Sequence, residues 1–155
     1  MNKKYAYYDT EIGTIKIGYI DEAITDINII EKNEIITNDT PCALSDTAAK
    51  QINEYLKGKR KAFDLKIQMS GTPFQLCVWQ SLKKIPYGQT KSYKQIAEEV
   101  GSPKAFRAVG MANNKNPILI VIPCHRVIGS DGSLTGYAYG TDLKQRLLDL
   151  ERHNC

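Results

Sequence analysis

The sequence has no apolar run long enough to cross a bilayer, and it has no closely paired cysteines. A spanning helix needs about 20 consecutive apolar residues, and the N-terminal MNKKYAYYDTEIG also lacks the continuous apolar core of a secretory signal. The four cysteines of the 155 residues show no Cys-x-x-Cys or other zinc-ligand spacing. We therefore expect a cytoplasmic protein with free thiols, no metal site and no membrane contact.

The composition also lacks any low-complexity tract and any extreme charge. With 42% hydrophobic and 25% charged residues, it is typical of a folded soluble protein. The net charge of +4 is unevenly distributed, since residues 1–69 hold 10 basic and 11 acidic side chains and residues 70–155 hold 11 and 6. A basic second half is compatible with a polyanionic partner, although the charge alone does not select one.

The first half has the alternating pattern of β-structure. KYAYY, GTIKIGYI and ITDINII predict an antiparallel meander over the first thirty residues. Ser45 is a candidate N-cap for a helix over DTAAKQINEYLK that Gly58 ends, and FDLKIQM then predicts another strand. We place the domain boundary near Met69, with residues 1–69 as an N-terminal α/β domain that supports the remainder.

The second half, residues 70–155, reads as mainly helical. Thr72 and Pro73 begin a helix whose predicted apolar face includes Phe74, Cys77, Val78 and Leu82. Thr141 is predicted to cap a C-terminal helix, DLKQRLLDLERH, which would dock through Leu143, Leu147 and Leu150.

Two short helices in this half are separated by a glycine-containing turn. Ser92 is predicted to cap YKQIAEEV, Gly101 ends it, and Ser102 with Pro103 begins a second helix over KAFRAVGMA. This pattern is typical of a helix-turn-helix, which places its second helix in a nucleic-acid groove. Taken alone, the pattern favours an ordinary helical hairpin, whereas the basic charge of this half favours DNA.

The segment NPILIVIPCHRVIG ends an apolar run on a reactive side chain. We expect a core strand that ends at Pro123 and presents the thiol of Cys124 at a strand-to-loop transition, although most buried cysteines act only as small apolar residues. A nucleophilic thiol needs a base, and His125 is adjacent. Because neighbouring residues of an extended chain point to opposite sides, we predict a bridging water between them.

A histidine that acts as a base needs its second ring nitrogen held, usually by a carboxylate. Glu151 is our candidate, with Asp131, Asp142 and Asp149 open as alternatives. His153, near the chain end, is expected to be exposed. Cys77 is expected in the core, and Cys42 and Cys155 are expected to have no role.

The segment IPCHRVIGSDGSLTGYAYG resembles the active-site signature of the O6-alkylguanine-DNA alkyltransferases. The resemblance extends through VWQSLKKIPYGQTKSYKQIA, GSPKAFRAVGMANNKNP and LLDLE, and so covers the second half. It implies a mixed α/β (α+β) fold, with an N-terminal antiparallel-sheet domain like ribonuclease H and a C-terminal helical domain with a winged-helix-like helix-turn-helix. It also implies irreversible alkyl transfer from O6-alkylguanine, and from O4-alkylthymine, in double-stranded DNA to Cys124, by a monomer without a cofactor.

The resemblance assigns roles residue by residue. The catalytic set is Cys124, the base His125, its orienting carboxylate Glu151, and Asn116. The residues implied to contact DNA are Tyr93, Lys94, Ser102, Lys104, Arg107, Ala108 and Gly110. The guanine pocket is implied to be formed by Tyr93, Val127, Gly136, Tyr137 and Ala138.

Within these roles, Tyr93 would help to rotate the damaged nucleotide, and Arg107 would fill the gap it leaves. Tight helix packing is an equal alternative explanation of the small residues Ala108 and Gly110. The sequence departs from the family pattern at Tyr139, which replaces a glycine. Either the pocket is reshaped there or Tyr139 points to solvent.

Three other functions remain as alternatives. Alkyltransferase-like proteins bind alkylated DNA without chemistry, but they lack the acceptor cysteine. A transcription factor would use the helix-turn-helix and leave Cys124, His125 and Glu151 unexplained. A Cys-His hydrolase would leave Arg107 and the basic helix pair unexplained.

Overall fold

The computed structural model describes residues 2–31, 34, 38–134 and 136–155. The chain divides into two compact units. The first comprises Met1–Met69 with Pro117–Leu119, and the second comprises Ser70–Asn116 with Ile120–Cys155. The elements are β1 (Lys4–Thr10), β2 (Gly13–Ile20), β3 (Ala23–Ile29), α1 (Ala43–Leu56), α2 (Pro73–Lys83), β4 (Lys91–Ser92), α3 (Tyr93–Glu99), α4 (Phe106–Asn114), a 3₁₀ turn (Cys124–Arg126), β5 (Val127–Ile128) and α5 (Thr141–Asn154).

The first unit is a three-stranded antiparallel sheet with a helix on it. The strands follow the order β1-β2-β3, as the alternating isoleucines predict, and α1 packs against all three. Ile15, Ile17 and Ile27 of the sheet and Ile52 of α1 are completely buried. Burial of one sheet face against one helix face is the usual solution for a small α/β layer.

Helix α1 begins earlier than the sequence suggests. Cys42, not Ser45, is its N-cap, and Ser45 is the third helical residue. The Ser45 hydroxyl accepts a hydrogen bond from the backbone N–H of Cys42 at 2.8 Å and lies 2.7 Å from the hydroxyl of Tyr8. Ser45 therefore closes the helix start from inside the first turn, which is the N3 role in a capping box.

The strand predicted over FDLKIQM is wrong. Ile67 makes only an isolated parallel bridge to Ile24, whose N–H donates to the carbonyl of Lys66 at 2.9 Å. The reason lies just upstream, where the side chain of Gln51 hydrogen-bonds both the N–H and the carbonyl of Asp64, at 3.0 and 3.1 Å. A side chain thus satisfies backbone groups that a strand ladder would have used.

The second unit contains a cluster of three mutually packed helices, α2, α3 and α4. Helix α2 begins at Thr72 and Pro73 as predicted, with a reciprocal capping box between Thr72 and Gln75. The prediction that Cys77 lies in the core is wrong, because the thiol is exposed. The buried face is rotated toward Trp79, whose indole N–H donates to the carbonyl of Ala112 at 2.9 Å.

Helices α3 and α4 form the helix-turn-helix pair. Ser92 caps α3 as predicted, its hydroxyl accepting from the N–H of Gln95 at 3.1 Å. Helix α4 begins at Phe106 and not at Ser102. The N–H of Ala105 donates to the carbonyl of Ser102 at 2.8 Å, which closes a turn with Pro103 at its second position, where proline is favoured.

The long core strand predicted before Cys124 is also wrong. Ile118 makes an isolated parallel bridge to Ile27, and Ile120 then has φ +70°, in the left-handed region that a β-branched residue rarely adopts. The chain therefore turns within the apolar run. Its residues are buried, as expected, but by packing and not as a continuous strand.

The chain after Cys124 is held by a short parallel ladder. Strand β5 pairs with β4, with Lys91 opposite Val127 and Ser92 opposite Ile128. Helix α5 then begins directly at Thr141, so Gly140, with φ +93°, is the cap position that the sequence had assigned to Thr141.

The buried face of α5 also differs from the predicted leucine stripe. Leu147 is buried, but Leu143 and Leu150 are only half-buried. The remaining buried positions of the helix are Lys144, Leu148 and Glu151.

Candidate functional site

The candidate acceptor, Cys124, begins the 3₁₀ turn and is 4% exposed. Asparagine side chains hold the backbone at Cys124 and two residues before it. The amide of Asn116 donates to the carbonyl of Ile122 at 2.7 Å, and that of Asn113 donates to the carbonyl of Cys124 at 3.3 Å. These bonds fix the backbone that carries the thiol.

The environment of the Cys124 thiol has opposing effects on its acidity. Burial raises its pKa, while side-chain hydrogen bonds from Asn116 and Tyr137 and the positive charge of Lys144 lower it, with a net rise. The thiol therefore keeps its proton in the free protein. Forming the nucleophilic thiolate requires a base or an added stabilising charge.

Glu151 is the centre of a buried polar cluster. One carboxylate oxygen, Oε2, lies 2.6 Å from Nε2 of His125, and the other, Oε1, accepts from the backbone N–H of Gly88 at 3.0 Å. His125 and Glu151 are essentially inaccessible to solvent. Of the alternative carboxylates, Asp149 accepts from Gln145, and Asp131 accepts from the N–H of Ser133.

Burial sets the protonation of His125. It lowers the pKa of the imidazole below the usual 6.5, an effect that the hydrogen bond and charge of Glu151 partly oppose. The imidazole is therefore neutral at neutral pH and able to accept a proton.

Arg126 completes the cluster, and our reading of the sequence gave it no role. Its Nε donates to Oε1 of Glu151 at 2.8 Å and its Nη2 to Oε2 at 3.0 Å, a two-point contact. The other terminal nitrogen, Nη1, donates to the carbonyl of Ile85 at 2.8 Å. Arg126 therefore neutralises and orients the carboxylate that holds His125.

Lys144 is the second functional candidate that sequence reasoning missed. It is completely buried, and its Nζ donates to the hydroxyl of Tyr93 at 3.4 Å. Burial lowers its pKa to about 8, while the nearby thiol of Cys124 acts in the opposite direction. The available signal was spacing, because Lys144 and Glu151 are seven residues apart and so lie on one face of a helix.

Two of the predicted guanine-pocket residues lie near this lysine, whose Nζ is 5.6 Å from the ring centre of Tyr93 and 5.8 Å from that of Tyr137. Tyr137 and Val127 are buried, and Gly136 and Ala138 are exposed. Gly136 has φ +85°, and a Cβ there would lie 3.4 Å from the Tyr93 hydroxyl, so glycine suits both its conformation and its neighbour. Tyr139 is half-buried and meets the Tyr137 ring edge-on at 6.0 Å, so its ring rests on the predicted pocket wall.

The residues predicted to contact DNA are only partly brought together. Tyr93, Arg107 and Gly110 line one groove of about 290 Å³ with Gly136. Ser102 and Lys104 instead line a separate depression at the turn before α4. Lys94 and Ala108 are exposed and line neither of these two grooves.

Two kinds of feature are absent from the described ranges. No group of three or more histidine, cysteine or acidic side chains there is arranged to hold a metal ion. No helix in this part of the chain is both long and apolar enough to span a membrane.

A buried thiol beside a His–Glu–Arg cluster, in the same unit as a helix-turn-helix, is typical of a DNA-binding protein with a candidate acceptor cysteine. Comparison with known proteins agrees. Residues 73–153 match the DNA-binding domain of 6-O-methylguanine DNA methyltransferase, and residues 3–69 match its ribonuclease-like domain.

Individual relatives show the same similarity over the whole chain. The methylated-DNA–protein-cysteine methyltransferase of Methanosarcina acetivorans is 46% identical, covering 95% of this chain and 97% of its own. The crystal structure of the Mycobacterium tuberculosis O6-methylguanine methyltransferase superposes with a TM-score of 0.89 at 40% identity, covering 99% of this chain and 95% of that one. A structure of the same enzyme with DNA has the same TM-score at 39% identity, covering 98% and 94%. The chain belongs to the 6-O-methylguanine DNA methyltransferase family.

Proposed function

We propose that this protein repairs double-stranded DNA by transferring the alkyl group of O6-alkylguanine irreversibly to its own Cys124. The observation that carries the proposal is the position of Cys124, buried next to the His125–Glu151 pair in the unit that also holds the helix-turn-helix. The names of the methyltransferase relatives support the same reaction. We further propose that the protein acts as a monomer.

The proposed reaction is a single displacement. The Cys124 thiol loses its proton to neutral His125, through a bridging water, and the sulfur attacks the alkyl carbon. The new S–C bond forms as the C–O6 bond breaks. The electron pair of the broken C–O6 bond passes to the guanine. Guanine takes up one proton, which balances the proton lost by the thiol. The same displacement applies to O4-alkylthymine, which is also an alkyl ether on a base edge.

The buried charges suit this displacement. Negative charge moves from sulfur to the guanine during transfer. The Lys144 ammonium donates to the Tyr93 hydroxyl, and its charge lowers the pKa of the Cys124 thiol. We assign to Lys144 the stabilisation of this charge, and to Tyr93 hydrogen bonding to the guanine. A fixed cation in a buried site acts more strongly than it would in water.

The burial of Cys124 requires the lesion to leave the duplex. A base edge inside stacked DNA cannot reach a thiol that is 4% exposed, so the nucleotide must rotate into the pocket. We assign to exposed Arg107 the filling of the gap, and to Ala108 and Gly110 a close approach to the DNA backbone. Lys94, Ser102 and Lys104 would contact phosphates.

The product explains why the reaction happens once. Transfer converts the thiol into a thioether, and no group among the proposed site residues is placed to remove the alkyl group again. Each chain therefore repairs one lesion. Neither a lesion-binding protein without chemistry nor a transcription factor needs the buried thiol with its His–Glu pair.

Intact-mass spectrometry tests the proposal directly. The protein is incubated with excess duplex containing one O6-methylguanine, and the modified peptide is then mapped. We expect one methyl group per chain, on the peptide that contains Cys124. Cys124→Ala should abolish transfer and retain binding to the methylated duplex, whereas the matched variant of an exposed thiol, Cys77→Ser, should transfer normally.

Two results would contradict the proposal. Selective binding of the lesion by the wild-type protein without any change in mass would indicate a protein that recognises damage only. Removal of the methyl group by Cys124→Ala would place the acceptor elsewhere.

A further inference from the structure

Helix α4 exposes two bulky apolar side chains. Phe106 is 40% exposed and Met111 is 66% exposed, and they are the exposed large hydrophobic residues of the part of the chain that the structure describes. Single exposed apolar residues are ordinary on protein surfaces. Here both lie on the second helix of the helix-turn-helix, beside Arg107.

The helical repeat places Arg107 between them. At about 100° per residue, Phe106 and Met111 are separated by about 140° around the helix, and Arg107 falls inside this arc. Along the axis they are about 7.5 Å apart. Both line the groove of about 290 Å³ that also includes Tyr93 and Gly136, so their surface is continuous with the proposed guanine pocket.

The charge around these side chains favours a polyanion. Residues 101–116 contain Lys104, Arg107 and Lys115 and no aspartate or glutamate. All three cations are exposed. An apolar pair on a segment whose charged residues are all cations is poorly suited to a second copy of the same segment, which would bring like charges together.

We propose that Phe106 and Met111 are wedges that pack against the base pairs on the two sides of the gap left by the rotated nucleotide. The inference rests on the proposed function. Removing one nucleotide from a strand leaves neighbours about 6.8 Å apart, or two steps of 3.4 Å, which is close to the axial separation of the two side chains. Proteins that kink DNA commonly insert phenylalanine or methionine between base steps.

The proposed wedges have a specific role beside Arg107. Arg107 fills the gap with a hydrogen-bonding group, while the apolar pair covers the base faces that rotation exposes. Stacking on exposed base faces favours the open duplex without regard to sequence. Phe106 and Met111 therefore promote rotation of the nucleotide and do not select the alkyl group.

The test uses the full chain and a duplex with O6-methylguanine next to 2-aminopurine, whose fluorescence rises when it unstacks. The variants are Phe106→Ala, Met111→Ala and the double variant, compared with Phe106→Tyr and Met111→Leu, which keep the bulk. Transfer is followed by mass with this duplex and, separately, with the free base O6-methylguanine. Circular dichroism checks that each variant is folded.

We expect each alanine variant to lower transfer from the duplex by about tenfold relative to transfer from the free base, within the range found for loss of one stacking contact. The double variant should lose more, and the 2-aminopurine signal should fall in parallel. Phe106→Tyr and Met111→Leu should retain both the transfer ratio and the signal.

Three outcomes would contradict either the wedge proposal or the proposed function, and they can be told apart. If wild-type protein transfers but the alanine variants keep its duplex-to-free-base ratio and fluorescence, the wedge proposal is wrong. If the alanine variants instead change the sedimentation of the protein without DNA, the surface is a contact between copies and the proposal is also wrong. If wild-type protein transfers from neither substrate, the proposed function itself fails.

Discussion

Gln51 in the first unit and Glu151 in the second are nearly isosteric, buried, and each hydrogen-bonded to more than one group. Gln51 joins α1 to the backbone N–H and carbonyl of Asp64, at 3.0 and 3.1 Å. Glu151 joins α5 to His125, to Arg126 and to the N–H of Gly88. The first uses a neutral amide, and the second uses a charge.

The difference has a clear energetic meaning. A neutral side chain that satisfies a loop stabilises a fold by about 0.5–1.5 kcal/mol per hydrogen bond. A buried carboxylate must first lose its hydration, and an apolar replacement of the whole cluster would often be as stable. The charged side chains are therefore not needed for the stability of the second unit. Their burial instead indicates a functional site.

The same contrast extends to all buried polar residues of the described ranges. Those of the first unit are neutral, whereas those of the second include four ionisable side chains. The first group is Thr25, Ser45 and Gln51, and the second is Ser81, Asn113, His125, Arg126, Lys144 and Glu151.

Glu151→Gln should have the largest effect, on both stability and methyl transfer. It keeps the shape but leaves Arg126 buried without its counter-charge, and removing one partner of a buried pair costs about 3–5 kcal/mol. Loss of the carboxylate that holds His125 should also slow methyl transfer by about 100-fold or more. Urea unfolding and single-turnover transfer measure the two effects.

Asp149→Asn is the matched control on the same helix. Asp149 is half-buried, and its carboxylate accepts from Gln145 rather than from His125. Its stability and transfer rate should remain close to wild type. Equal losses of stability and transfer rate in Glu151→Gln and Asp149→Asn would contradict the role assigned to Glu151.

Lys144→Met should have the next largest effect. Without the ammonium, transfer should slow by about tenfold, which corresponds to about 1.4 kcal/mol of transition-state stabilisation. The change is measured as a single-turnover rate at pH 7, where Lys144 is protonated because its pKa is about 8.

The same variant should change how stability depends on pH. Between pH 8 and 10.5 the unfolded lysine holds a proton that the folded one has lost, so Lys144 makes the wild-type protein more stable as pH rises through this window. Unfolding of the two proteins at pH 8 and pH 10 measures this contribution together with its electrostatic coupling to Cys124. A difference between the proteins that stays constant with pH would contradict the lowered pKa.

Gln51→Leu should lower stability and have no effect on transfer, the smallest expected effect on the reaction. It leaves the N–H and carbonyl of Asp64 without their side-chain partner, at a cost of about 1–3 kcal/mol. Because Gln51 lies in the first unit, the transfer rate of the folded protein should not change. A slower rate at a temperature where the variant is fully folded would show that the first unit contributes to the reaction.

The differences between sequence and structure have local physical causes. Capping patterns at Thr72 and Ser92 predicted two helix starts because the signal is contained within four residues. The strand before Cys124 was overestimated because apolar composition reports burial and does not report the left-handed turn at Ile120. Cys77 was misplaced because a rotation of α2 that buries Trp79 depends on its contact with Ala112.

The amino-acid sequence by itself determined the meander, the helix pair and the acceptor candidate Cys124, since these follow from periodicity, capping and a motif of adjacent residues. Among four downstream carboxylates, only the resemblance to a known family selected Glu151. Only the tertiary structure revealed Arg126 and Lys144 as parts of the site. Their importance arises from burial and from partners 25 and 51 residues away in the chain. A lysine becomes a candidate for catalysis only when folding removes its water and places it beside Tyr93 and Cys124.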